Sequence, residues 1–308
     1  MPSASEIREQ VAAETERRNR LAVPAFAGGF VYLLSAIVIA STINSAPTVG
    51  LLQGLAPAIS GDANPSVSPR APWVRYVSHH SLALIAGGAL AALALVVLTL
   101  ILLLLANATR FRRPKSLAAT RPLVLAGGLG LALVSLGHEI VSAIETHNFV
   151  VGHDHSNHAV ERALVTGTAN NLIDYIELLA GLALVVGMIA TMVNAIRVGL
   201  IPRWLGMVGM LAAVLIFLPE TGAELQVIPA FWIVMMGVLF LGRWSSGDPP
   251  AWAAGEARPW PPRGAPRTGG ARAVAAGAAG AAAVTPAPVQ PTSGASSGKR
   301  RRKRGARR

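Results

Sequence analysis

The chain contains no cysteine, which excludes disulfides, thiolate nucleophiles and cysteine-ligated metal centres. Charge is scarce as well. Asp, Glu, Lys and Arg make up 14% of 308 residues, against about 25% in a soluble domain. Acidic residues are the scarcer sign, 15 against 27 Lys and Arg, and aromatics reach only 5%. The chain carries no P-loop, nucleophile elbow or dinucleotide fingerprint, which removes the common phosphoryl-, acyl- and hydride-transfer classes. Charged and polar residues dominate the first twenty positions, so the N-terminus does not read as a signal peptide.

Apolar surface is abundant instead. AVILMFWYC account for 52%, 31 glycines add to that, and the mean hydropathy is +0.49. A soluble domain holds roughly 45–50% apolar residues with glycine included. The composition therefore points to an integral membrane protein, all-α, because an uninterrupted apolar run can satisfy its own backbone in lipid only as a helix. Uncharged runs cover 21–43 and 82–106, and further runs cover about 123–143 and 172–196. About 20 residues cross a hydrocarbon core, so these four read as spans. Two shorter runs, about 203–219 and 227–242, flank PETGAELQ. They either cross with help from flanking residues or form a re-entrant hairpin, and both choices return the chain to one side.

The expected fold is thus a polytopic transmembrane helical bundle of about six spans. Residues 1–20 should form an amphipathic cytoplasmic helix, capped by Ser3 with Glu6. Residues 243–308 should be a disordered tail, since Pro, Gly, Ala and Ser dominate there. That tail holds 13 of the 27 Lys and Arg and two acids, Asp248 and Glu256. The pI of about 11.4 is therefore a property of the tail. With the N-terminus inside, 24 cationic residues lie inside and only Arg70, Arg75 and Arg162 lie outside. The positive-inside rule then places both termini in the cytoplasm and the protein in the cell membrane.

RVGLIPRWLGMVGM (197–210) and GRWSSGDPPAWAAGEARPWP (242–261) resemble a family of uncharacterised bacterial six-helix membrane proteins. In that family a Gly-Arg-Trp and Pro-Pro-Ala-Trp stretch follows the last helix, and a basic tail follows that. The resemblance implies topology and membrane location and carries no activity with it. Without it, Arg243, Trp244, Trp252 and Trp260 read as headgroup anchors at the end of a span.

All seven histidines fall on the outer side of this topology. His79 and His80 open the second span, His138 lies in the third, and His147, His153, His155 and His158 follow it. Ser135, His138, Glu139, Ser142 and Glu145 recur at helical spacing and form one polar stripe. Asn170, Asn171, Asp174 and Glu177 form another. Ionisable residues at such depth are costly and face a cavity or a partner. His79, His80, His138, Glu139, Asp174 and Glu177 are therefore candidates for a polar network or a ligand site. Imidazole and carboxylate donors suit a divalent transition metal. The metal-ligand candidates are His138, Glu139, His153, Asp154, His155 and His158, although no H-E-x-x-H pattern is present.

Three functions are compatible with these features. The first is a non-enzymatic structural or partner-binding membrane protein, including a homo-oligomer. The second is an outward-facing protein that binds a divalent metal or protons. The third is a metal-dependent intramembrane hydrolase. The tail cations Lys299, Arg300, Arg301, Arg302, Lys303 and Arg304 are expected to contact anionic lipid. Specific nucleic-acid binding is not expected, because no folded reading element accompanies them.

Overall fold

A computed structural model describes residues 3–260, apart from 51, 54, 56–58, 62–67, 115–116, 219–221 and 245–246. The tail cations Lys299–Arg304 and Glu220 lie outside the described residues. Helix is the one regular element among those described. In chain order the helices are α1 Ala4–Asn44, α2 Ala71–His79, α3 Ser81–Arg112, α4 Thr120–Val151 and α5 Asn157–Glu161. A π-helical turn, Arg162–Thr166, leads into α6 Thr168–Val198. Then come α7 Arg203–Phe217, α8 Gly222–Leu225, α9 Val227–Phe240 and α10 Pro250–Ala254. Helices α1, α3, α4 and α6 (the last with its lead-in from Asn157) are long and apolar enough to cross a membrane.

Helix α1 starts where the capping box predicts. The Ser3 amide donates to Glu6 Oε2 at 2.6 Å and the Glu6 amide to Ser3 Oγ at 3.3 Å. It does not end at residue 20. The amphipathic segment and the first apolar run form one 41-residue helix, a correction to the separate helix expected over 1–20. Neither a glycine cap nor a polar turn separates Arg20 from Leu21, and Pro24 removes only one intrahelical hydrogen bond.

Small residues set the helix register. An added Cβ at Gly29 would meet the Ala230 carbonyl at 2.5 Å, and one at Gly237 would strike the Phe26 backbone. Helices α1 and α9 therefore lie backbone to backbone. Gly127 of α4 sits in the same way on Leu184 and Ala180 of α6. In lipid such close approach supplies the dispersion contacts that hold helices together.

Two ends result. The basic end gathers the N-terminal half-turns of α1, α4 and α7 and the C-termini of α3, α6 and α9. The histidine end carries α2, the C-terminus of α4, α5 and the start of α6. There Ala71, Val74, Phe149, Val160 and Ala163 form a small separate core. Helices α7 and α9 have 15 and 14 residues, about 22 Å each at the α-helical rise. Tyr32 donates its hydroxyl to Gln226 Oε1 at 2.6 Å. The turn before α9 thus stands twelve residues short of the end of α1, roughly 18 Å along its axis.

The segment after α9 corrects the expected tail. Residues 247–260 fold back onto the basic end instead of trailing away. Trp252 is buried, and its indole N–H donates to the Leu200 carbonyl at 3.0 Å. The Arg258 amide donates to the Val198 carbonyl at 3.0 Å. Arg112, at the end of α3, donates twice to the Ala251 carbonyl and pairs with Glu14 of α1 at 2.7 Å. Both Arg112 and Glu14 side chains are fully or almost fully buried. Arg18 and Arg112 both lie over the Trp252 ring, at 5.7 and 5.6 Å from its centroid. A compositional reading misses this because one buried indole with a paired N–H anchors a segment that is otherwise Pro-, Gly- and Ala-rich. Trp252 is thus an interior plug and not a headgroup anchor. Trp244 stacks on Trp204 with ring centroids 5.6 Å apart.

Candidate functional site

The Gly127 contact determines which outer residues meet. Helices α4 and α6 run antiparallel from it. His138 lies eleven residues beyond Gly127, while Asp174 lies ten residues before Leu184. At 1.5 Å per residue both travel about 15–17 Å from the same crossing. They therefore arrive at the same height.

There, His138, Asp174 and Glu177 each present one ligand-capable atom, and all three atoms lie within 4.8 Å of one another. Asp174 and Glu177 are three residues apart on α6, close to one turn, so their carboxylates share a face. His138 faces them from α4. His138 and Asp174 are exposed, and Glu177 is half-buried. Two carboxylates this close repel each other unless a cation sits with them. An imidazole nitrogen and two carboxylate oxygens form a donor set that accepts a divalent transition metal. Three protein ligands also leave coordination positions open to water. Among the described residues this is the one group of three or more His, Asp or Glu so arranged.

The other candidates do not join it. Glu139, next to His138 in sequence, points toward α3, where its Cγ would lie 2.8 Å from a Cβ at Gly88. A residue one step along a helix turns about 100°, which explains the parting. His80 stacks on Tyr76 at 4.0 Å between centroids, with Nδ1 2.9 Å from the Tyr76 carbonyl. His79 is exposed at the end of α2.

The GHDHSNH connector serves local structure. Asp154 accepts the Ser156 amide at 3.0 Å. That hydroxyl and amide hold the Asp154 carboxyl below its ordinary range, with smaller help from Arg162 and His158. His155 lies against Phe149, its ring centroid 5.0 Å away, and its carbonyl accepts the Ser68 amide at 2.7 Å. His158 Nδ1 is 2.9 Å from Arg162 Nη2. His153 is exposed. Asn170, expected on the acidic stripe, is buried and donates to the Ala163 carbonyl at 3.3 Å, which ties down the π-helical turn.

Sequence reasoning missed two polar groupings at the basic end. One is the Arg112–Glu14 pair under Trp252; the Pro-Pro-Ala-Trp stretch was its only signal. The other is a small, half-open pocket between the ends of α3 and α6 and the start of α4. Its two arginines, Arg110 and Arg121, entered the sequence analysis only as topology charges. No protein-family model matches the chain, and neither a curated protein nor a solved structure matches it.

Proposed function

We propose that this is a multipass protein of the cell membrane, without catalytic activity, that binds a divalent transition metal on its outer face through His138, Asp174 and Glu177. The observation that carries this reading is the convergence of one imidazole and two carboxylates, from helices far apart in sequence, within 4.8 Å. A scaffold role accounts for polar residues that tie helices together, but it does not require two neighbouring acids, one exposed and one half-buried, against one histidine. A hydrolase reading is weaker, because it needs Glu139 beside His138, Asp174 and Glu177, and Glu139 faces α3 instead.

The topology belongs to the same proposal. The basic end is cytoplasmic, since cations are retained inside during insertion, and the histidine end faces out. Helices α1, α3, α4 and α6 cross the bilayer. Helices α7 and α9 form a hairpin that enters from the cytoplasmic side and returns, which the early turn at Gln226 supports. Both termini then lie inside, as they would with six full crossings and as the resemblance to the six-helix family implies. The tail cations Lys299–Arg304 add attraction to an anionic inner leaflet, at about 1 kcal/mol per cation.

Isothermal titration of the purified full chain in detergent with Zn²⁺, Cu²⁺ and Ni²⁺ tests the proposal. Saturable binding of one ion per chain is expected. His138→Ala and Glu177→Gln should each weaken it at least tenfold, whereas His153→Ala leaves it unchanged. Binding should also weaken on acidification, because a protonated imidazole cannot ligate. Absence of saturable binding by all three ions would return the protein to the scaffold reading.

A further inference from the structure

The pocket at the basic end is built from residues with no role in the outer metal group. Its floor holds Thr109, Thr191, Asn194 and Thr120, and its mouth carries Arg110 and Arg121. Thr109 and Thr191 spend their hydroxyl protons on carbonyls of their own helices, at 2.6 and 2.7 Å. Their hydroxyl oxygens keep lone pairs but have no further proton to give.

Thr120 differs. It is 6% exposed, and its hydroxyl is buried with no hydrogen-bond partner among the described residues. A buried hydroxyl without a partner is costly and uncommon. It also stands at the first position of α4, a 32-residue helix whose N-terminus has no side-chain cap and no acidic residue in its first turn. The Thr120 amide donates to the Leu117 carbonyl and the Leu123 amide to the Ala119 carbonyl, while Pro122 has none. The Arg121 amide has no backbone acceptor among the described residues.

A helix start carries partial positive charge and favours an anion. Here two guanidiniums are added to it. Neither Arg110 nor Arg121 forms an ion pair among the described residues. An unneutralised helix N-terminus, two unpaired arginines and an unpartnered buried hydroxyl converge on one cavity. Each of them lacks the same thing, a compact oxyanion with several acceptors.

We infer that this pocket binds a phosphate group. Arg110 and Arg121 would hold its charge, and the Thr120 hydroxyl and the Arg121 amide would donate to its oxygens. Guanidinium forks match phosphate geometry, and helix N-termini bind it through free amides. The group comes either from free phosphate or from the headgroup of an anionic phospholipid, since the pocket lies where the apolar parts of α3, α4 and α6 give way to basic residues.

The test uses the full chain in detergent, with its C-terminal cations intact in every sample. Binding of sodium phosphate and of dihexanoyl phosphatidic acid is measured by titration calorimetry, with dihexanoyl phosphatidylcholine as the zwitterionic control. Saturable binding is expected for phosphatidic acid and not for the control. An Arg110→Gln, Arg121→Gln double variant should bind at least tenfold more weakly, and isosteric Thr120→Val at least threefold more weakly. Comparable binding of inorganic phosphate would assign the site to free phosphate, and binding of the lipid alone would assign it to a headgroup. No saturable binding of either probe overturns the inference, and so does unchanged affinity in Thr120→Val. If the double variant fails to fold, Thr120→Val alone decides.

Discussion

Arg112 shows how much one side chain holds together. Its guanidinium pairs with Glu14, donates to the Ala251 and Ala108 carbonyls, and lies over Trp252. A buried ion pair is weak evidence of net stability, but removing one partner strands a buried charge. Arg112→Ala should therefore destabilise the protein by about 3–5 kcal/mol, read as thermal unfolding in detergent. Replacing Arg112 and Glu14 together by apolar residues of similar volume should cost much less than Arg112→Ala. If the single and double replacements cost the same, the stranded Glu14 charge is not what matters.

Glu6 supplies a pH prediction at the same scale. The Ser3 backbone amide, and then the Ser3 hydroxyl, hold its carboxyl below the ordinary range. A group depressed in the folded state contributes stability above its unfolded value and loses it as pH falls through the folded value. The first turn of α1 should fray on acidification below the usual Glu range. Amide exchange at residues 6–9 measures this; Glu6→Gln should remove the pH dependence, whereas Ser3→Ala should only reduce it, because the backbone amide still donates to Glu6.

Among the elements, the contact between α4 and α6 matters most for the proposed site. A side chain at Gly127 would run into the Leu184 backbone. Overpacking of this kind costs about 1–3 kcal/mol, and it should also spread the two helices above the contact. Gly127→Leu should accordingly weaken metal binding, although position 127 lies about 16 Å from His138 along the helix. Unchanged affinity in a destabilised Gly127→Leu protein would mean that the site does not depend on this register. For α7 and α9, a Glu224→Cys variant separates hairpin from full crossing. A membrane-impermeant maleimide added outside intact cells should fail to label it if the hairpin is re-entrant.

At the scale of the whole molecule, the two ends of the bundle are built differently. The histidine end is polar and partly open, and its small core joins α2, α5 and the end of α4. The basic end is closed by the chain itself, through Trp252, Arg258 and Gly255, the last pressed against Ile7 and Val11. Truncation after residue 260 should leave thermal stability unchanged, whereas truncation after residue 246 removes Trp252 and should lower it markedly. Equal stability of the two truncations would show that the fold-back adds nothing.

The sequence alone determined the all-helical class, the four long apolar helices, the Ser3–Glu6 cap and the candidacy of His138, Asp174 and Glu177. Run length, spacing and capping chemistry are local properties, and helices in this chain obey them locally. Tertiary structure alone decided that Glu139 leaves the group while His138 stays, because a one-residue step changes which neighbour a side chain meets. It also decided that residues 247–260 are ordered, since the energy that orders them comes from partners on α1, α3 and the residues just beyond α6, which no window of composition contains. The Thr120 pocket belongs to the same category. Its hydroxyl, its helix start and its arginines are unremarkable one at a time, and they gain meaning only where three helix ends bring them to one place.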